Sequence, residues 1–209
     1  MPIIWENHVG LRSFEEPISD EEAARVYRWS RDAELLRLSG GEPTELTLEE
    51  FREQLRGDHQ DLFDHRRMFF ILARPFDSAQ GELIGRVGCF AIDWTRRDGE
   101  LGIVIGEPTF WGKGYGRAAV TLLLRHLFET TLLERIYLFT YPENMRAQRC
   151  FATCGFRSLG SARRFSIERG EHDGVEMEIT RQEFLELWNT RAPAASPSVE
   201  KCPGESSLR

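Results

Sequence analysis

The sequence predicts a single α/β domain, and three features of it do so. Runs rich in β-branched and aromatic residues alternate with segments whose apolar residues recur at helical spacing. Two stretches, 68–94 and 156–180, each hold two strand-like runs around a turn-rich interruption, as antiparallel hairpins do. Between them, Glu100 to Val120 (ELGIVIGEPTFWGKGYGRAAV) reads as strand, glycine loop and helix. The β-branched run Ile103, Val104, Ile105 stops at Gly106 and Pro108, and from Gly116 onward Ala119, Leu122, Leu123 and Leu127 fall on one helical face. A chain of 209 residues is long enough to bury a core of its own.

The remaining elements follow in order. Val9 to Phe14 is a short first strand. Ser19-Asp20-Glu21-Glu22 is a capping box opening a helix to about Ser30, with Ala23, Val26 and Tyr27 inward. Gly40-Gly41-Glu42-Pro43 breaks the chain, and Thr47-Leu48-Glu49-Glu50 repeats the capping box for a helix bearing Phe51 and Leu55. Met68 to Arg74 is an apolar strand, Pro75 to Gly81 a hairpin loop and Leu83 to Trp94 its partner, with Gly85 and Gly88 as weak spots or bulges. Arg96-Arg97-Asp98-Gly99 turns into the central strand. A long helix covers Gly116 to about Thr130, a strand Arg135 to Thr140. Pro142-Glu143-Asn144 then opens a helix with Ala147, Cys150 and Phe151 inward and Gly155 as its C-cap. Phe156 to Glu168 and Val175 to Thr180 close the fold as a hairpin around Gly170 to Gly174, followed by a short helix from Gln182 to Asn189. From Arg191 the pattern dissolves into prolines and serines, so residues 1–190 are read as the domain and 191–209 as a disordered tail.

Composition narrows the function. A net charge of −7 argues against general nucleic-acid binding, which needs a basic face, and mildly favours a cationic acceptor. No run of 18 apolar residues is present to span a membrane, and the segment MPIIWENHVG lacks the basic and apolar regions of a signal peptide. Cys89, Cys150, Cys154 and Cys202 form no disulfide framework, which suits a reducing cytoplasm. Cys150 and Cys154 lie one helical turn apart, but without a second pair nearby core packing is favoured over a metal, and none is expected.

The glycine loop carries the chemistry. A strand running through glycines into a helix aims main-chain N–H groups and a helix N-terminus at an anion. A Walker loop is excluded because Lys113 is followed by Gly114 rather than a hydroxyl residue. A dinucleotide fingerprint is excluded because Gly112, Gly114 and Gly116 are spaced G-x-G-x-G and lie past mid-chain. Trp111-Gly112-Lys113-Gly114-Tyr115-Gly116 instead resembles the pyrophosphate loop of the GNAT superfamily of N-acetyltransferases, with Trp111 where that family usually has Gln or Arg. A second stretch, Asn144-x-x-Ala147-x-x-x-Phe151-x-x-x-Gly155-Phe156, resembles the N-x-x-A-x-x-x-Y-x-x-x-G-F signature of the same family, in the family's order. Trp29 with Arg31-Asp32 and the closing hairpin resemble the branch of ribosomal-protein N-terminal and polyamine acetyltransferases.

That resemblance implies the acyl-CoA N-acyltransferase fold: a mixed, mostly antiparallel sheet, split in a V at the cofactor cleft and flanked by helices. It implies acetyl-CoA as co-substrate. Main-chain groups of Val104 and Ile105 would pair with the pantetheine amides, and the N–H groups from Gly112 through Tyr115 to Arg117 would hold the pyrophosphate. Lys113 and Arg117 would add charge there or simply be solvated at a helix start; Asn144 would bond the pantetheine arm, cap its helix, or both. The implied reaction is direct transfer of acetyl to a primary amine, on a protein N-terminus or a small molecule such as a polyamine. A protonated amine is not nucleophilic, and Glu100, at the start of the central strand, is the candidate base. A main-chain N–H near Val104 or Ile105 would meet the oxyanion. Phe151 stands where the family often has the Tyr that protonates the departing thiolate, so another acid or none must serve; Tyr141 and Cys150 are nearby in sequence. Two alternatives stand beside this reading: a non-catalytic CoA-binding sensor or scaffold, and an acyltransferase using a longer acyl-CoA. The acceptor site is expected between the two early helices, the 57–67 connection and the closing hairpin. Glu34, Asp58, Asp61 and Asp64 are its acidic candidates, and His59, His65 and His172 are alternative bases. A homodimer is compatible with this reading.

Overall fold

Apolar side chains at alternate positions of the strands demand cover on both faces of one sheet, and the helices supply it. In the computed structural model, which describes residues 3–57, 65–74, 81–166 and 170–189, eight strands form that sheet. They are β1 (Ile4–Glu6), β2 (Val9–Ser13), β3 (Arg67–Ala73), β4 (Glu82–Asp93), β5 (Asp98–Ile105), β6 (Arg135–Thr140), β7 (Arg157–Ser166) and β8 (Gly170–Thr180), in the spatial order β1-β2-β3-β4-β5-β6-β8-β7. Every neighbouring pair is antiparallel except β5 with β6. The mostly antiparallel mixed sheet expected from the sequence is the one observed.

On one face lies α4 (Tyr115–Thr130), whose Ala119, Val120, Leu123, Leu124 and Leu127 pack on Val9, Leu11, Ile71, Ile84, Val87, Leu101, Ile136 and Leu138. α5 (Met145–Cys154) and α6 (Arg181–Asn189) extend the same layer through Phe151, Cys154 and Phe184. The other face is covered by α1 (Asp20–Trp29), α2 (Ala33–Ser39) and α3 (Leu48–Gly57), which bury Phe70, Leu72 and Leu83 under Val26, Trp29, Leu35 and Phe51. Burial of this apolar surface at about 25 cal/mol per Å² is what holds the layers to the sheet. The capping box at Ser19 forms as read: the Glu22 N–H donates to Ser19 Oγ at 3.2 Å, and the Ser19 N–H to Glu22 Oε2 at 3.0 Å.

Four sequence expectations change. β1 was not foreseen; it is three residues long, too short for a visible alternation. α2 is likewise absent from the sequence reading, which assigns no element between the first helix and the break at Gly40. Asp32 accepts hydrogen bonds from the Glu34 and Leu35 N–H groups and caps a two-turn helix, which Gly40 ends in the left-handed region at φ 73°. Gly88 marks no bulge; a Cβ there would meet Met68 Sδ at 2.2 Å, so close packing is its reason. Gly85 does adjoin a register shift, since Ile71 pairs with Gly85 and Leu72 with Leu83. Gly170 to Gly174 lies inside β8 instead of turning the last hairpin, whose turn, like the 191–209 tail and the loop at 75–80, lies outside the described residues.

Gly85→Ala would place a Cβ 2.2 Å from the Val104 carbonyl oxygen, a main-chain atom that cannot move aside. The expected cost is about 1–3 kcal/mol of stability, read as a lower midpoint in thermal denaturation.

Candidate active site

The site begins where two strands part. β5 and β6 pair in parallel only at Asp98↔Arg135, Gly99↔Ile136 and Glu100↔Tyr137. Directly opposite, β4 carries a bulge: Ala91 and Ile92 face the single residue Gly99 between the pairs Phe90↔Glu100 and Asp93↔Asp98, with Ala91 at φ 49°. A bulge sharpens the local twist, and this one sits at the last residues that β5 shares with β6. Below the divergence, Arg135 bridges Asp98 (3.4 Å), Glu176 (3.3 Å) and Glu178, tying β5, β6 and β8 together at the apex of the V.

Antiparallel pairing decides which main-chain groups face the gap. The Gly106 N–H donates to the Ile84 carbonyl at 2.8 Å, so Ile105 opposite Gly85 is a non-hydrogen-bonded pair. The N–H and C=O of Ile105, and by alternation those of Ile103, therefore point away from β4 into the gap. Those of Val104 point to β4. The Ile105 carbonyl accepts the Trp111 indole N–H at 2.8 Å, which folds the loop back over the end of β5.

The loop itself is a one-turn 3-10 helix at Pro108–Phe110 followed by Trp111 to Gly114. Gly112 (φ 71°) and Gly114 (φ 88°) take the left-handed conformation that a side chain penalises, and a Cβ at either would have no protein atom within 4 Å. Gly114 is the N-cap of α4, supplies no side-chain cap, and leaves the first turn of N–H groups to an outside acceptor. No acidic residue occupies that turn, so the positive end of the helix dipole is uncompensated.

A cleft of about 480 Å³ runs from this loop along the gap. Of the residues expected from the sequence, Val104, Ile105, Trp111, Gly112, Gly114, Gly116, Arg117 and Asn144 line it. Lys113 and Tyr115 do not: Lys113 is exposed, and Tyr115 packs edge-on against Phe110 and His8 with ring centroids 5.0 Å apart. Asn144 is the N-cap of α5, accepting from the Ala147 N–H at 3.1 Å while its Nδ2 donates to the Leu38 carbonyl at 3.3 Å. Arg146 and Arg149 also line the cleft, and the Arg146 guanidinium lies 3.8 Å from the centre of the Trp111 ring. Sequence reasoning passed over both arginines, although they stand two and five residues beyond Asn144 on the cleft-facing side of a helix already recognised. Phe151 is buried at the cleft wall. Cys150 lines the cleft too, its thiol held below its usual pKa by a hydrogen bond from Cys154.

A second cavity, of about 160 Å³, opens beside Glu100 and shares Leu38 and Ser39 with the cleft. Glu100, Phe139, Tyr141, Arg164 and His172 line it. The Glu100 side chain is 16% exposed and receives Arg164 Nη2 at 3.3 Å and 3.2 Å on its two oxygens. Burial raises the Glu100 carboxyl above its usual pKa, and the Arg164 guanidinium pulls it the other way. The Arg164 guanidinium carbon lies over the Phe139 ring, 3.5 Å from its centre. Tyr141 is buried against Gly40, where a Cβ would sit 2.5 Å from its hydroxyl, and its ring is 5.3 Å from that of His172. His172 Nδ1 is engaged with the Gly170 carbonyl and His65 Nδ1 with that of Ile92. Glu34 lies exposed in the first turn of α2 and lines neither cavity; Asp58, His59, Asp61 and Asp64 lie outside the described residues. Among the described residues no group of three or more His, Cys, Asp or Glu is arranged to hold a metal, and no helix is long and apolar enough to cross a membrane.

A split sheet with an uncapped helix end and a glycine cradle at one end of the gap, and a carboxylate at the other, defines an acyl-CoA-dependent transferase. Comparison with known proteins agrees. Residues 14–157 match the model of the acetyltransferase (GNAT) domain, and the chain belongs to that family. It is 30% identical over 134 residues to a spermidine N(1)-acetyltransferase of Vibrio cholerae, covering 64% of this chain and 73% of that protein. It is 26% identical over 167 residues to an N-acetyltransferase 9-like protein of Caenorhabditis briggsae, covering 77% and 82%. Among solved structures, a Vibrio cholerae spermidine N-acetyltransferase in complex with CoA and spermine superimposes with a TM-score of 0.70 at 24% identity, over 86% of this chain and 99% of that one. An aminoglycoside acetyltransferase in complex with coenzyme A gives 0.65 at 22% identity, over 88% and 99%. The reaction of this chain is acetyl transfer from acetyl-CoA to an amine.

Gly114→Ala adds about 1–2 kcal/mol of strain at a left-handed position, with no protein atom for the new methyl to clash with. CoA binding measured by calorimetry is expected to weaken about tenfold, the equivalent of 1.4 kcal/mol.

Proposed function

We propose that Glu100 is the general base of this acetyltransferase and that the Trp111–Arg117 segment, with Arg146 and Arg149, holds the diphosphate and nucleotide end of CoA. The observation that carries this reading is the position of Glu100: it is the last residue of β5 paired to β6, so it stands where the gap begins and where the two cavities adjoin. Bound acetyl-CoA supplies an activated acetyl thioester. The protein's own part is to orient and to move a proton. The N–H groups of Tyr115, Gly116 and Arg117 point from the helix end toward the diphosphate, with Gly112 and Gly114 leaving it room. Ile103 and Ile105 offer main-chain groups to the pantetheine arm in place of the Val104 and Ile105 pair expected from the sequence, because Val104 is engaged with β4. Trp111 already occupies the Ile105 carbonyl, which leaves Ile103 the main partner on that strand. Asn144 contributes chiefly as the cap of α5 and its tie to α2.

The amine arrives through the smaller cavity and loses its proton to Glu100. A carboxylate whose pKa is raised by burial is a stronger base toward an ammonium than a solvated one, which suits the task. The name of the spermidine N(1)-acetyltransferase relative points to a polyamine as acceptor, and a protein N-terminus, the other acceptor expected from the sequence, likewise presents a primary amine.

Glu100→Gln is expected to lower kcat/KM by roughly 10²–10⁴ while CoA affinity stays unchanged, followed as thiol release over a panel of amines. An unchanged rate would remove Glu100 from the mechanism. The wild-type rate should fall as pH drops through the Glu100 pKa, because the base must be ionised. Since Arg164 lowers that pKa, Arg164→Gln should move the acid limb of the profile to higher pH.

A further inference from the structure

The smaller cavity holds a charge arrangement that a polyamine site does not call for. Among its described lining residues Glu100 is the one carboxylate, and Arg164 already stands against it. The next carboxylate on the same face, Glu176, is bound to Arg135 at 3.3 Å. A polycation brought here would meet a carboxylate already paired and the guanidinium paired to it, and like charges set side by side oppose binding.

Arg164 is also built to take a second anion. Both contacts to Glu100 are made by Nη2 alone, at 3.2 and 3.3 Å, the long end of the range for a charged pair. Its Nη1 and Nε groups have no partner among the described residues, and its Cζ lies over the Phe139 ring, 3.5 Å from the centre. The side chain is 38% exposed, so an incoming group can reach it.

We infer that the acceptor is an amine bearing a carboxylate, with Arg164 binding the carboxylate while Glu100 takes the proton from the amine. The acceptor's carboxylate competes with Glu100 for the guanidinium, and Glu100 is thereby released to serve as base when the right acceptor is in place. This rests on the reading of Glu100 given above and adds to it the acceptor class. The same chemistry is presented by a peptide with Asp or Glu next to its N-terminus and by a free acidic amino acid.

The test uses the purified full-length chain with acetyl-CoA, following thiol release with four acceptors: a peptide beginning Ser-Glu-Glu, one beginning Ser-Lys-Lys, free glutamate and spermidine. One charge-assisted hydrogen bond contributes about 1.5–3 kcal/mol, so kcat/KM for the acidic peptide or glutamate should exceed that for the basic peptide about tenfold or more. Which of those two is the better substrate separates a protein N-terminus from a small molecule. Arg164→Gln should abolish the preference, mostly through KM, and Arg164→Lys should restore part of it; CoA binding by both variants checks that they are folded. Spermidine as the best acceptor, or a preference untouched by Arg164→Gln, overturns the inference and leaves acetyl transfer standing. Thiol release with none of the four, while CoA still binds, overturns both.

Discussion

Strands β5 and β6 pair over three residues and then diverge, and the function of this chain depends on that parting. Two strands side by side ordinarily satisfy each other's main-chain groups. Here the N–H and C=O of Ile103 and the N–H of Ile105 face a gap instead, and main-chain groups so placed invite an extended ligand that can supply the missing strand. The bulge in β4 at Ala91 and Ile92 stands opposite the point of divergence, and the Arg135 network with Asp98, Glu176 and Glu178 keeps the strands together below it. The V is thus held open above and closed beneath by separate devices.

The two ends of the gap are then chemically distinct. At one end the α4 N-terminus, with its left-handed glycines, leaves main-chain N–H groups uncapped and open to the cleft. The Trp111 side chain there makes a hydrogen bond to Ile105 and a platform for Arg146. At the other end Glu100 is half-desolvated beside Arg164, an arrangement in which burial and ion pairing act in opposite directions on one carboxyl group.

The early helices connect these ends. Leu38 and Ser39 of α2 line both cavities, the Leu38 carbonyl is bonded to Asn144, and Gly40 presses on Tyr141. Trp29 covers Gly106 so closely that a Cβ there would lie 2.1 Å from its ring, and its indole N–H reaches Glu107 at 3.1 Å. The helices beside the two cavities therefore also set the path of the chain into the glycine loop.

The sequence by itself determined what depends on short-range chemistry. The strand–glycine–helix order at 100–120, the capping boxes, the Gly155 cap and the long apolar face of α4 are written in neighbouring residues, and local backbone preferences enforce them. Tertiary structure decided what depends on partners far apart in the chain. Short β1 owes its existence to its pairing with β2 rather than to its own periodicity. That Ile103, not Val104, faces the gap follows from the register with β4, and register shows only once strands pair. Arg164 comes to Glu100 from 64 residues away because the last hairpin folds back beside β6, a neighbourhood set by the packing of the sheet as a whole.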